Sequence, residues 1–155
     1  MPEFFDSTIV CNTGPIIGLS RAGLSHLIGP LFASVLLPEA VVAELRAKHA
    51  GDAANRARHC LARVVAELDL GEASVIQAAR EHGLKAVFMD ERRARRVAGT
   101  IYGLTVKGTC AVLVEARRRQ LIPKVRPALE TMIAGGYFIG PQLMAECLRR
   151  ATEAE

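Results

Sequence analysis

Four polar side chains stand where an α/β sheet places its chemistry. Asn12 follows an apolar run, Ile9-Val10-Cys11, and Asp90 follows another, Ala86-Val87-Phe88-Met89. Between them come Glu44, in a helical pattern opened by Pro38, and Glu72, in the first turn of a helix after Gly71. Polar residues at the carboxyl ends of parallel strands point into the crevice where open sheets bind their ligands. Carboxylates aimed at one crevice repel each other unless a divalent cation neutralises them. The pattern predicts a site of oxygen donors suited to magnesium or manganese. Such an ion activates water and steadies the charge developing on a phosphate, which is what phosphodiester hydrolysis requires. Asn12 is the odd member, because it brings an oxygen without a charge.

Each residue also has a purely structural reading. Asn12 before Thr13-Gly14-Pro15 can close the strand-to-helix corner as an Asx turn. Glu44 can be a solvated helix carboxylate reaching Lys48 at i+4. Glu72 at a helix start is favoured by the helix dipole alone, and Asp90 is a good N-cap for the amides of Arg92 or Arg93. The arginines divide in the same way. Arg92, Arg93, Arg95 and Arg96 follow Asp90 directly, and Arg117, Arg118 and Arg119 close a later helix. They suit the backbone of a polyanion, or two solvated helix faces.

The elements that must position these residues alternate strand and helix, the signature of an α/β fold with a mainly parallel sheet. Strands are expected over about 8–11, 34–37, 85–89 and 104–106. The run at 85–89 is apolar on both faces, as in a central parallel strand. Helices are expected from Thr13 or Gly14 as cap with Pro15 at the first position, from Pro38, over 72–83 with Gly83 as the stop, over 91–98, and from Thr109 as cap. Further helices are expected over 125–134 and 141–151. The segment 55–62 reads as helix, while 64–68 fits either a strand or the approach to the next helix. Tyr137-Phe138-Ile139 is a short extended piece. This gives one domain over 1–155, with a core at about 8–123 and a helical extension over 124–155.

Composition narrows the class. The chain has 155 residues, half of them hydrophobic and 23% charged, and a net charge of +4. That is globular rather than disordered. No run is long and apolar enough to span a bilayer, and the acidic start Met1–Asp6 lacks the basic opening of a signal peptide. A cytosolic location is expected. The four cysteines, at 11, 60, 110 and 147, are too scattered for a zinc ribbon or a CxxC motif and read as structural thiols. The histidines form no HxxxH or HExxH pair.

The segments 10–17, 37–45, 70–73 and 89–95, that is VCNTGPII, LPEAVVAEL, LGEA and MDERRAR, resemble the PIN-domain superfamily. More narrowly, they are similar to its prokaryotic branch DUF3368, related to the toxin ribonucleases of VapBC toxin–antitoxin modules. Val106-Lys107-Gly108-Thr109 and Gln120-Leu121-Ile122-Pro123 match further stretches, so the resemblance runs in order from about residue 8 to residue 150. It implies a three-layer α/β/α sandwich whose acidic pocket binds magnesium or manganese and cleaves RNA. Carried over, the pocket maps to Asn12, Glu44, Glu72 and Asp90, with Thr13, Glu91 and Thr109 in an outer shell. A small cognate antitoxin and a homodimer are implied partners. At Asn12 the superfamily pattern has Asp, and the lost charge leaves a second reading open. In that reading the chain is a PIN-like nucleic-acid- or protein-binding module whose nuclease activity is weak or lost.

Overall fold

The computed structural model describes residues 4–47 and 70–153. The expected segments at 55–62 and 64–68 lie outside the described residues. Four strands, β1 (Thr8–Cys11), β2 (Ser34–Leu36), β3 (Ala86–Phe88) and β4 (Thr105–Lys107), pair in parallel in the order β2-β1-β3-β4. The register sets Val10 opposite Leu36 on one side and Cys11 opposite Phe88 on the other. From β1 the chain first steps outward to β2, and the later strands extend the sheet on the opposite side. That reversal opens a crevice beyond the carboxyl ends of β1 and β3. The amide of Asn12 donates to the carbonyl of Phe88 at 2.9 Å, so the residue that leaves β1 is held against the end of β3.

Alternation along the strands builds two separate cores. Ile9, Cys11, Ala86 and Phe88 face one layer, made of α1 (Thr13–Arg21), α2 (Ile28–Leu31), α6 (Thr109–Arg118), α7 (Arg126–Ala134) and α8 (Pro141–Arg150). Val10, Val87 and Met89 face the other, made of α3 (Glu39–Ala47), α4 (Leu70–Glu81) and α5 (Arg92–Arg96), followed by a π-helical turn at Val97–Ile101. The expected α/β/α sandwich is the architecture found. Strands buried on both faces read as continuous apolar runs, which is why they were legible in the sequence.

The helix ends differ from expectation for local reasons. Asn12, not Thr13 or Gly14, caps α1, because its Oδ1 accepts the Thr13 amide at 2.8 Å. Asp90 does not cap α5; Glu91 does, accepting the Arg93 amide at 3.3 Å. Thr109 is the first residue of α6 rather than its cap, a position held by Gly108. The first helix stops at Arg21, where Gly23 at φ +69° turns the chain into a 3-10 turn at Ser25–Leu27. Gly83, at φ +64°, ends α4 as expected.

Phe88 is the largest fully buried side chain at the sheet centre, 1% exposed, with its ring 6.0 Å from that of Phe32. Phe88→Ala is expected to cost about 3–5 kcal/mol, the usual loss for a buried aromatic, in urea denaturation at an unchanged m-value. A cost below about 1 kcal/mol would show that the core on this face of the sheet does not close on this ring.

Candidate functional site

The carboxyl ends of β1 and β3 open into a crevice of about 610 Å³. Asn12, Glu44, Glu72 and Asp90 all line it, as do Thr13 and Thr109. Asn12 is buried at its base, and its capping bond to Thr13 is the corner geometry that the structural reading anticipates. The two roles coexist, since the residue that closes the corner also lines the crevice.

Glu44 does not point away into solvent. Its Oε2 accepts the hydroxyl of Thr13 at 2.8 Å, which ties α3 to the start of α1. A glycine makes this possible. A Cβ placed on Gly71 would lie 2.3 Å from Glu44 Oε1, so the carboxylate fills the space that any other residue there would take. Glu72, the next residue of α4, is 7% exposed and has a partner within the fold. It sits in the first turn of a twelve-residue helix, where the amide dipoles favour an anion.

Asp90 accepts hydrogen bonds from two other parts of the chain. Its Oδ1 accepts the Thr109 amide at 2.6 Å, and its Oδ2 accepts the Thr109 hydroxyl at 2.6 Å. The hydroxyl of Tyr137 also donates to Oδ2. Again a glycine provides the room. Gly108 has φ −111° and ψ −176°, extended backbone open to any residue. Yet a Cβ there would stand 2.6 Å from Asp90 Oδ1 and 3.2 Å from Arg95 Nη1. What Gly108 supplies is space.

Tyr137 is a site residue that sequence reasoning missed. Its ring lies over Gly18, where a Cβ would be 3.1 Å from the ring and 2.7 Å from Met132 Cε, and its hydroxyl is 3.8 Å from a Cβ built on Gly14. Gly14 and Gly18 are four apart and share one face of α1, so together they make the flat bed that admits the ring. The glycine spacing was the only signal, and nothing in it names the partner. Burial, and then the charge of Asp90, push the Tyr137 phenol well above its ordinary pKa. The same causes in the same order raise the thiol of Cys11 at the end of β1.

Of the expected outer residues, exposed Glu91 and Arg92 line the crevice. Arg95 is half-buried beside Gly108, while Arg93 and Arg96 are exposed and outside the lining. Among the described residues, no three His, Cys, Asp or Glu side chains converge as a ready-made ligand set. The donors are nonetheless oxygens only, three carboxylates and an amide. That is the chemistry of magnesium or manganese, which keep several waters and take one or two protein carboxylates. The residues fit such a water-retaining ion rather than one caged by protein.

A family model described as a PIN domain, DUF3368, matches residues 8–153. The chain belongs to this family, whose general properties are nuclease-type function and use of divalent metal ions. No curated protein and no solved structure matches it. Among the described residues no helix is long and apolar enough to cross a membrane.

The glycines provide the test of the geometry. In an ordinary helix Gly→Ala stabilises by about 1 kcal/mol. Gly71→Ala is expected to forfeit that gain and to weaken manganese binding in calorimetric titration, because the new methyl expels Glu44. Gly108→Ala should weaken it likewise through Asp90. Unchanged manganese affinity in both variants would show that neither carboxylate's position matters to the ion.

Proposed function

We propose that this PIN-domain chain is a magnesium- or manganese-dependent endoribonuclease, acting in the cytoplasm as the toxin of a type II toxin–antitoxin pair. The observation that carries the reading is the meeting of Asn12, Glu44, Glu72 and Asp90 in one oxygen-lined crevice at the sheet's switch point. Glu44, Glu72 and Asp90 would bind the ion or order its water, with Asn12 as a neutral donor. When bound, the metal supplies an activated water and charge stabilisation at the phosphate. The chain supplies the positioning. Thr109 and Tyr137 hold Asp90 at the mouth of β3, Thr13 orients Glu44, and Glu91 adds a carboxylate at the rim. Arg92 would take a backbone phosphate, with Arg93, Arg95 and Arg96 extending the positive face beyond it. A small cognate antitoxin and a homodimer belong to the same reading.

Asn12 favours a second reading, a nucleic-acid- or protein-binding module with weak or lost cleavage. An amide oxygen can coordinate magnesium, but it lacks the charge that helps strip water from a reluctantly dehydrating ion. The chain is therefore expected to bind metal weakly and to cut RNA slowly, faster with manganese. Asn12→Asp should tighten binding and raise the rate on the order of tenfold, the equivalent of about 1.4 kcal/mol regained. Asp90→Asn should abolish cleavage. A manganese titration with a labelled RNA pool across the three proteins decides. Equal cutting by the unaltered chain and Asp90→Asn contradicts the ribonuclease reading. RNA binding without any gain in Asn12→Asp favours the module.

A further inference from the structure

The stretch between α7 and α8 treats three consecutive large side chains differently. Tyr137 and Ile139 pack against the core, and Tyr137 is tied to Asp90 through its hydroxyl. Phe138 between them is 89% exposed, more than any other large apolar side chain among the described residues. It nevertheless lines the same crevice as Asp90. The backbone holds it there. The Tyr137 amide donates to the Met132 carbonyl at 2.9 Å, Gly136 turns at φ +87°, and Gly140 caps α8. A ring kept in water forgoes the stabilisation of burial, and here its two neighbours take the inward places. It is an aromatic face fixed at the mouth of an acidic crevice, with exposed Arg92 on the same lining.

We propose that Phe138 is a stacking platform for one unpaired base of a single-stranded RNA, an inference that rests on the ribonuclease reading above. The crevice sorts its occupants by chemistry. An apolar peptide side chain resting on the ring would face Glu44, Glu72 and Asp90 with nothing to offer them. A nucleotide brings a π face for the ring, a phosphate for Arg92, and a second phosphate for a cation held on the carboxylates. A base paired in a duplex cannot present its face, so the base on the ring is an unpaired one. Stacking on phenylalanine is tolerant of base identity, so this contact orients the strand without reading its sequence. Arg92 and Phe138 then fix the direction in which the chain enters.

The test is fluorescence anisotropy of a labelled single-stranded RNA oligonucleotide against the full chain with calcium present, alongside a copy carrying 2-aminopurine. Phe138→Ala and Phe138→Leu should each weaken binding about tenfold, within what one base–aromatic stack contributes. Phe138→Trp should bind as well as the unaltered chain or better. The 2-aminopurine signal should be quenched by the unaltered chain and by Phe138→Trp, and by neither Phe138→Ala nor Phe138→Leu. Undiminished binding by Phe138→Ala, or by Phe138→Leu, overturns the platform while leaving the ribonuclease reading intact. So does an unchanged RNA affinity in a Phe138→Ala variant that has lost a dimer by light scattering, since the ring would then serve a protein contact. If the folded, unaltered chain binds no RNA with any divalent ion, the ribonuclease reading fails and the platform fails with it.

Discussion

The carboxylate of Asp90 holds the functional end of the molecule together. It leaves the central strand β3 and accepts hydrogen bonds from the first residue of α6, through both amide and hydroxyl, and from Tyr137 in the stretch between α7 and α8. Three parts of the chain far apart in sequence meet at two oxygen atoms. Hydrogen bonds to an anionic acceptor are among the stronger ones available to a fold. Losing them would leave a carboxylate and its donors unpaired in a half-buried crevice. The same group is thus a structural clasp and a candidate ligand. The lone pairs that remain on its oxygens are aimed by the bonds already made.

That clasp requires the surroundings to make room. Gly108 and Gly71 stand where a side chain would collide with the oxygens of Asp90 and Glu44, and Gly18 stands where one would collide with the Tyr137 ring. None of the three has a positive φ, so space rather than backbone freedom is what they contribute. Each opens a place for a larger group from another element. The cost is concentrated negative charge, with Glu44, Glu72 and Asp90 on one crevice. The fold offsets part of it locally, through the Thr13 hydroxyl, the amides that open α4 and α6, and the phenol of Tyr137. A cation completes the neutralisation in the reading proposed here, and Asn12 reduces how much charge remains to be neutralised.

Much of this was legible in the sequence for a plain reason. Central parallel strands are apolar on both faces, so β1 and β3 stand out as runs, and the polar residue after each run marks the crevice. Asn12 and Asp90 could be placed on that basis, and the order of segments carried the family resemblance. Partners could not be placed. The bonds to Asp90 span 19 residues to Thr109 and 47 to Tyr137, and no local pattern reports a contact at that distance. The swapped caps have the same origin. With two adjacent acids at 90 and 91, propensity favours the first as cap, but α6 draws Asp90 away and leaves α5 to Glu91. Gly71 reads as a break before a helix until a second carboxylate is known to need its place.

In the proposed reading these oxygens form a cation site at the junction of β1, β3 and α6. Paramagnetic manganese added to the isotopically labelled chain tests it most directly, because the ion broadens the NMR signals of the nuclei around it. Broadening is expected to begin at substoichiometric manganese and to centre on the amides of Thr13, Asp90 and Thr109, with Tyr137 among the first to disappear. Broadening centred elsewhere, or spread evenly over exposed carboxylates such as Glu81 and Glu130, would contradict it.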